Sequence, residues 1–310
     1  MRKLFVIMAV MVSFALVGAV GAGEKKIKVS YLVSNFNDNF LSKIAEAARS
    51  AGGDSVEVEL FDAQDDVVRQ NDQVINTLQS KPDAILAIAV ETSSVNPMVQ
   101  ACQEAGVPLV FVNRNPFRGR EIPKGVYIFA PDTRLEGEYP ARYGCEKLNG
   151  KGNVAIIRGG NHEAAVNRTD GAKRIIAGFP DMKVIAEDSG EWFREPGLRV
   201  AENILTAHGD AINAFFCNND EMALGALIAI DNMGLGNKGI VVTGVDGVYE
   251  GLESIKQGRL AATVYQDPIE QGKGAVEYAV RIVKGEKLPQ EAVLKVNLIT
   301  KDNVDEFINR

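Results

Sequence analysis

The chain has 310 residues, 46% of them hydrophobic and 24% charged, with a formal net charge of −7. That length and composition describe a globular chain large enough for two domains. The acidic balance, with no basic block, excludes a nucleic-acid partner. The 3 cysteines and 2 histidines form no metal-ligand spacing, so no metal and no cofactor are expected.

In chain order, Arg2 and Lys3 precede an apolar run from Leu4 to Val20, and small residues from Gly18 to Gly23 come next. This predicts a cleavable signal peptide over 1–23, cut near Ala22. The mature product is expected in the periplasm, with no stable membrane insertion after cleavage. Cys102, Cys145 and Cys217 cannot all pair with one another, and each is expected to act as a small buried hydrophobe.

Beyond residue 24, apolar runs alternate with amphipathic stretches. Strands are predicted over 27–33, 56–61, 84–89, 109–112 and 126–129, with helices such as 65–79 and 94–105 between them. A second series follows, with strands over 153–158, 184–187, 214–216, 240–245 and 262–265. Its helices fall over 164–177, 197–207, 221–233 and 249–257. A further strand over 293–297 and a short helix over 301–308 complete the chain. Near-continuous Val/Ile/Leu strands separated by helices predict an α/β fold: two doubly wound parallel-sheet domains joined by a three-segment hinge. The expected lobes are 24–131 plus 267–297, and 132–266 plus 298–310.

In such sheets ligands bind beyond the carboxyl ends of the strands. The first strand ends in Asn35-Phe36-Asn37-Asp38-Asn39-Phe40. Phe36 and Phe40 either sandwich the apolar face of a ring or anchor the loop to the core. Asp38 either accepts hydroxyl hydrogen bonds or, like Asn39, caps the next helix. Asp65 is expected to cap the helix after the second strand. The fourth strand ends in Asn113-Arg114-Asn115-Pro116, where a guanidinium between two amides can fork onto adjacent hydroxyl oxygens. The alternative is a proline-terminated turn.

The second series repeats the arrangement. His162 and Arg168 follow the strand over 153–158, and Trp192, the single tryptophan, follows the next. A flat indole there serves as core, as a lid or as a platform for a sugar face. In Cys217-Asn218-Asn219-Asp220 the expected cap is Asp220, leaving Asn219 for a ligand. Asp246 ends one strand, and Gln266 sits at a predicted hinge segment. Amides, two carboxylates, two arginines and aromatics suit reversible binding of an uncharged polar ring. No dinucleotide fingerprint, phosphate loop or nucleophile elbow is present.

Over residues 24–310 the chain resembles the periplasmic sugar-binding proteins of ABC transporters, a group with the type I periplasmic binding protein fold. It is most similar to their galactose/glucose-binding and ribose-binding members. The resemblance rests on Asn37-Asp38-Asn39-Phe40, Gln70-Asn71-Asp72-Gln73, Phe111-Val112-Asn113-Arg114, the segment from His162 to Arg168, Trp192, the run from Asn218 to Ala226, and Gly244-Val245-Asp246. It implies ligand contacts from Asp38, Phe40, Asn113, His162, Arg168, Trp192, Asn219 and Asp246. Where the galactose/glucose group has Asn-Lys-Glu, this chain has Asn113-Arg114-Asn115. Gln266 is more like the ribose group, and Leu148-Asn149-Gly150-Lys151-Gly152 replaces a calcium loop. The expectation is a monomeric, non-enzymatic binding protein for a hexose or a cyclitol such as myo-inositol, handed to an ABC permease. A pentose such as ribose is the alternative ligand. Docking on a chemoreceptor and an exported α/β enzyme acting on a sugar are the alternative functions.

Overall fold

The computed structural model describes residues 25–308 except Asn161. The expected signal peptide lies outside these residues. The first sheet collects β1 (Ile27–Val33), β2 (Val56–Asp62), β3 (Ala84–Ala87), β4 (Leu109–Val112) and β5 (Val126–Pro131). The second collects β6 (Lys151–Arg158), β7 (Asp181–Ser189), β8 (Ala214–Cys217), β9 (Val241–Thr243) and β10 (Ala262–Tyr265). Two late strands, β11 (Glu291–Leu294) and β12 (Asn297–Thr300), join the first and second sheet respectively. The orders are β11-β5-β4-β3-β1-β2 and β12-β10-β9-β8-β6-β7. Every pairing is parallel except that of β10 with β12. The predicted fold class is therefore borne out: two doubly wound α/β domains.

The central strands β3, β4, β8, β9 and β10 are buried at every position. Helices cover both faces of each sheet, so no residue of these strands needs to be polar. Alternate side chains feed opposite layers. In the first sheet Tyr31, Leu86 and Val110 pack on one face, while Leu32, Ile85 and Phe111 pack on the other. The second sheet divides in the same way, with Phe215 and Val242 on one face and Ile156 and Phe216 on the other. Cys102, Cys145 and Cys217 are free and buried within these layers, as expected, and burial raises each thiol pKa.

The helices are α1 (Asn39–Ser50), α2 (Val67–Gln79), α3 (Asn96–Ala105), α4 (Thr133–Lys147), α5 (Glu163–Ile176), α6 (Arg194–His208), α7 (Asp220–Asn232), α8 (Tyr249–Lys256) and α9 (Ala275–Val283). Four begin on side-chain caps: Asp38 for α1, Asp66 for α2, Asp132 for α4 and Asn219 for α7. Each such cap is worth about 1 kcal/mol. The α2 cap corrects the expectation for Asp65, whose φ of +56° removes it from the capping position.

The chain passes between the sheets three times: after β5, after β10, and between β11 and β12. The last crossing corrects the single strand expected over 293–297. Two strands flank Lys295-Val296, because residues on either side of that pair hydrogen-bond to different sheets. The helix expected over 301–308 is reduced to a 3-10 turn, Val304–Glu306.

Candidate functional site

The wall contributed by the first sheet is built at the ends of β1 and β4. Asp38 Oδ1 accepts the N–H groups of Phe40 (2.8 Å) and Leu41 (3.0 Å), so the carboxylate is fixed by the cap it makes. Phe40 is buried beside it. Beyond β4 the backbone turns at Asn113, whose φ is +66°, a conformation that Asn tolerates better than most residues. Arg114 then donates to the carbonyls of Ala89 and of Val90 (3.3 Å) at the end of β3. Gln70 on α2 fixes that strand end, donating to the Ile88 carbonyl (2.9 Å) and accepting from the Val90 N–H (2.9 Å).

Two expected residues stand outside the cavity. Phe36 packs against the core of the first sheet. Asn115 accepts the Phe117 N–H (2.8 Å) and donates to Glu291 (2.8 Å), so its amide shapes the turn before Pro116 and ties it to β11.

The second wall stands on β6, β7, β8 and β9. Helices α4 and α5 approach backbone to backbone through Gly137 and Gly171. A Cβ on Gly137 would lie 2.0 Å from the Arg168 carbonyl oxygen, and one on Gly171 2.6 Å from that of Arg134. This contact brings Glu136, fully buried, to Arg168 Nε at 2.7 Å. Arg168 also donates to the Asn218 carbonyl (2.7 Å) and lies 3.8 Å from Asp246. Asn219 caps α7, which corrects the expected cap, Asp220, and it donates to the Trp192 carbonyl (2.9 Å) while still lining the cavity. The indole of Trp192 is held by its neighbours, with the Arg168 guanidinium carbon 5.6 Å from its centroid. The His162 ring stacks on it at 4.5 Å and 11°, and a Cβ on Gly159 would lie 2.0 Å from its ring. Trp192 therefore stacks on His162 while lining the cavity.

A chain of amides links the two walls. Asn113 donates to Gln271 (2.9 Å), Gln271 to Gln266 (3.1 Å), and Gln266 to Asp246 Oδ1 (2.8 Å). Gln271 is placed by a π-helical turn, Glu270–Gly274, that presses Gly272 against α1; a Cβ there would lie 2.3 Å from the Ile44 carbonyl oxygen. Charged contacts close the rims. Glu163 at the start of α5 accepts from Arg118 (2.9 Å), Thr133 (2.6 Å) and Asn167 (2.6 Å), while its N–H donates to Thr92 (3.1 Å). On the other side Asn39 donates to Glu221 (3.2 Å).

Burial dominates the electrostatics. It raises the pKa of Asp38 and Asp246 above the ordinary carboxylate value. It lowers that of Arg114 to about 10, although Asp38 and Asp65 oppose the shift. His162 is pushed well below 6.5, first by burial and then by the charges of Arg114 and Arg168, so it is neutral at pH 7. For Arg168 burial opposes the charge, but Glu136 and Asp246 outweigh it and the pKa rises.

Asp38, Phe40, Asn113, Arg114, His162, Arg168, Trp192, Asn219, Asp246 and Gln266 thus line one narrow cavity between the sheets, together with Leu41 and Ala164. Sequence reasoning missed Glu136, Glu163 and Gln271, and it named Gln70 without giving it a place at the site. The glycine after Glu136 was the available signal, since a glycine within a helix marks a close backbone approach.

Residues 29–287 match the periplasmic binding protein domain family. The chain belongs to that family. It is 32% identical over 257 residues to a Rhizobium meliloti protein assigned to rhizopine binding, covering 82% of this chain and 83% of that one. It is 33% identical over 279 residues to the ribose import binding protein of Bacillus subtilis (strain 168), covering 90% and 88%. A solved ABC transporter solute-binding protein of Bacillus halodurans C-125, with bound myo-inositol, superposes with a TM-score of 0.86 at 30% identity, covering 93% and 99%. The resemblance to the sugar-binding proteins of ABC transporters holds, and the family is one of solute-binding proteins, not enzymes.

Proposed function

We propose that this periplasmic binding protein captures a cyclitol such as myo-inositol, or a hexose, between its two lobes and delivers it to an ABC permease. The observation that carries this is a set of buried polar atoms without partners. His162 Nδ1 and Nε2, Arg114 Nε and Trp192 Nε1, all on cavity-lining residues, have no hydrogen-bond partner among the described residues. Leaving such atoms unpaired costs about 1–3 kcal/mol each, so the site is suited to a molecule rich in hydroxyls. Asp38 and Asp246, from opposite sheets, add charged acceptors that a hydroxyl can satisfy. Because both lobes contribute, ligand selects the closed arrangement. The lobes rotate about the crossings at 131–132, 265–267 and 295–296. The inositol-bound relative supports the cyclitol. Gln266 on Asp246, with the ribose import relative, supports a pentose as the second reading.

A thermal-shift panel of myo-inositol, glucose, galactose, xylitol and ribose tests both, since a ligand that binds only the native state raises its melting temperature. The largest shift is expected from myo-inositol. A largest shift from ribose favours the second reading, and no shift from any of them overturns the proposal.

A further inference from the structure

Asp220 does not line the cavity between the sheets, yet it is fully buried and its carboxylate is committed to one turn of backbone and one hydroxyl. Oδ2 accepts the N–H groups of Gly247 (2.8 Å) and Val248 (3.0 Å), and Oδ1 accepts the Thr263 hydroxyl (2.6 Å). Its own N–H donates to the Val245 carbonyl (2.8 Å). These bonds bracket Asp246 on both sides. Asp246 itself has a φ of +112°, a backbone conformation that disfavours a side chain. Something must hold it there, and the bonds from Asp220 are in place to do so. The space around the carboxylate is fully used. A Cβ on Gly244 would lie 2.2 Å from Oδ1, and one on Gly251 2.7 Å from Oδ2. An acidic residue in the first turn of a helix is ordinarily explained by the helix dipole at a solvated end. That explanation does not account for a buried carboxylate whose hydrogen-bond partners Gly247, Val248 and Thr263 all lie on other elements.

We infer that Asp220 is a positioning residue, which clamps the turn 245–248 and so aims the Asp246 carboxylate into the cavity. The inference rests on the proposed role of Asp246 in ligand binding. Asp220→Ala loosens the turn. Asp220→Asn keeps an acceptor for the two amides, and the Thr263 hydroxyl, which can also accept, can turn to meet the new N–H.

The test combines calorimetry with myo-inositol and amide hydrogen exchange. Asp220→Ala is expected to weaken binding about tenfold, the scale of one charge-assisted hydrogen bond. In an Asp246→Ala background the same change is expected to cost less than about twofold, because coupled residues are not additive. Asp220→Asn is expected to restore binding to within about threefold of the original, on the same reasoning. Exchange at Gly247 and Val248 is expected to accelerate in Asp220→Ala while the amides of β1 keep their protection. Additive losses, an Asn variant no better than Ala, or unchanged exchange in the turn overturns the inference. Should Asp220→Ala fail to fold, Thr263→Val removes one bond to the same carboxylate and must still accelerate exchange at Gly247. Absence of myo-inositol binding by the unmutated protein counts against the proposed ligand, whereas the exchange measurement judges Asp220 without any ligand.

Discussion

In the wall from the first sheet, the charged groups rest on main chain: Arg114 on the Ala89 and Val90 carbonyls, Asp38 on the Phe40 and Leu41 amides. In the wall from the second sheet they rest mainly on other side chains: Arg168 on Glu136 and Asp246, with one bond to the Asn218 carbonyl, and Asp246 on Gln266. Backbone dipoles cannot be mutated away and each serves one group. A side-chain network shares its members, and deleting one leaves a buried charge uncompensated. The first wall is therefore expected to respond locally to substitution, and the second as a unit.

The sharpest test of that contrast is Glu136→Ala against Asp38→Ala. Loss of Glu136 strands the buried Arg168, which should cost about 3–5 kcal/mol of stability in urea unfolding. Loss of Asp38 removes a helix cap, at about 1 kcal/mol. Equal losses would break the comparison. Asp246→Ala comes next: its affinity for the best ligand of the panel should fall on the order of tenfold to a hundredfold by calorimetry. An unchanged affinity removes Asp246 from ligand binding.

His162 lies between the walls and supplies a dependence on pH. Its folded pKa is depressed by burial and by Arg114 and Arg168. Below 6.5 the unfolded chain takes up a proton that the folded chain refuses. Stability from this group is thus complete above that value and declines as pH falls beneath it, by at most about 1.4 kcal/mol per pH unit. In His162→Gln this part of the slope should vanish. Urea midpoints measured between about pH 5 and pH 7.5 report it, and identical slopes in the two proteins would refute it.

The smallest effect is expected at Asn115. With its amide bonded to Phe117 and Glu291, Asn115→Ala should cost on the order of 1 kcal/mol of stability. The rank order of myo-inositol, glucose, galactose and ribose should stay the same. A changed order would make Asn115 a determinant of specificity rather than a brace of the turn.

Local pattern was enough for the architecture. Runs such as Ala-Ile-Leu-Ala at β3 and Leu-Val-Phe-Val at β4 are legible as strands buried on both faces, because nothing polar interrupts them. Polar residues clustered after those runs marked the strand ends, and topology converges strand ends on one cleft, so ten of the twelve expected site residues line it. The two others, Phe36 and Asn115, share a turn with residues that do; position in sequence could not say which side chains face inward. The partners that brace the site were illegible for a related reason. Glu136, Gln271 and Asp220 act on residues 32, 5 and 43 positions away or on main chain, through contacts fixed by glycine-mediated helix packing and a π-helical turn. Which of Asn219 and Asp220 caps α7 was likewise decided by the turn at Asp246, whose amides compete for the Asp220 carboxylate. Sequence alone determined where the first ten strands run and which ends carry polar groups, because burial acts on each segment separately. The split of the last expected strand into β11 and β12 depended on which sheet each half joins. The tertiary structure decided the direction of each polar side chain, because a buried hydrogen bond is set by whichever distant group arrives to make it.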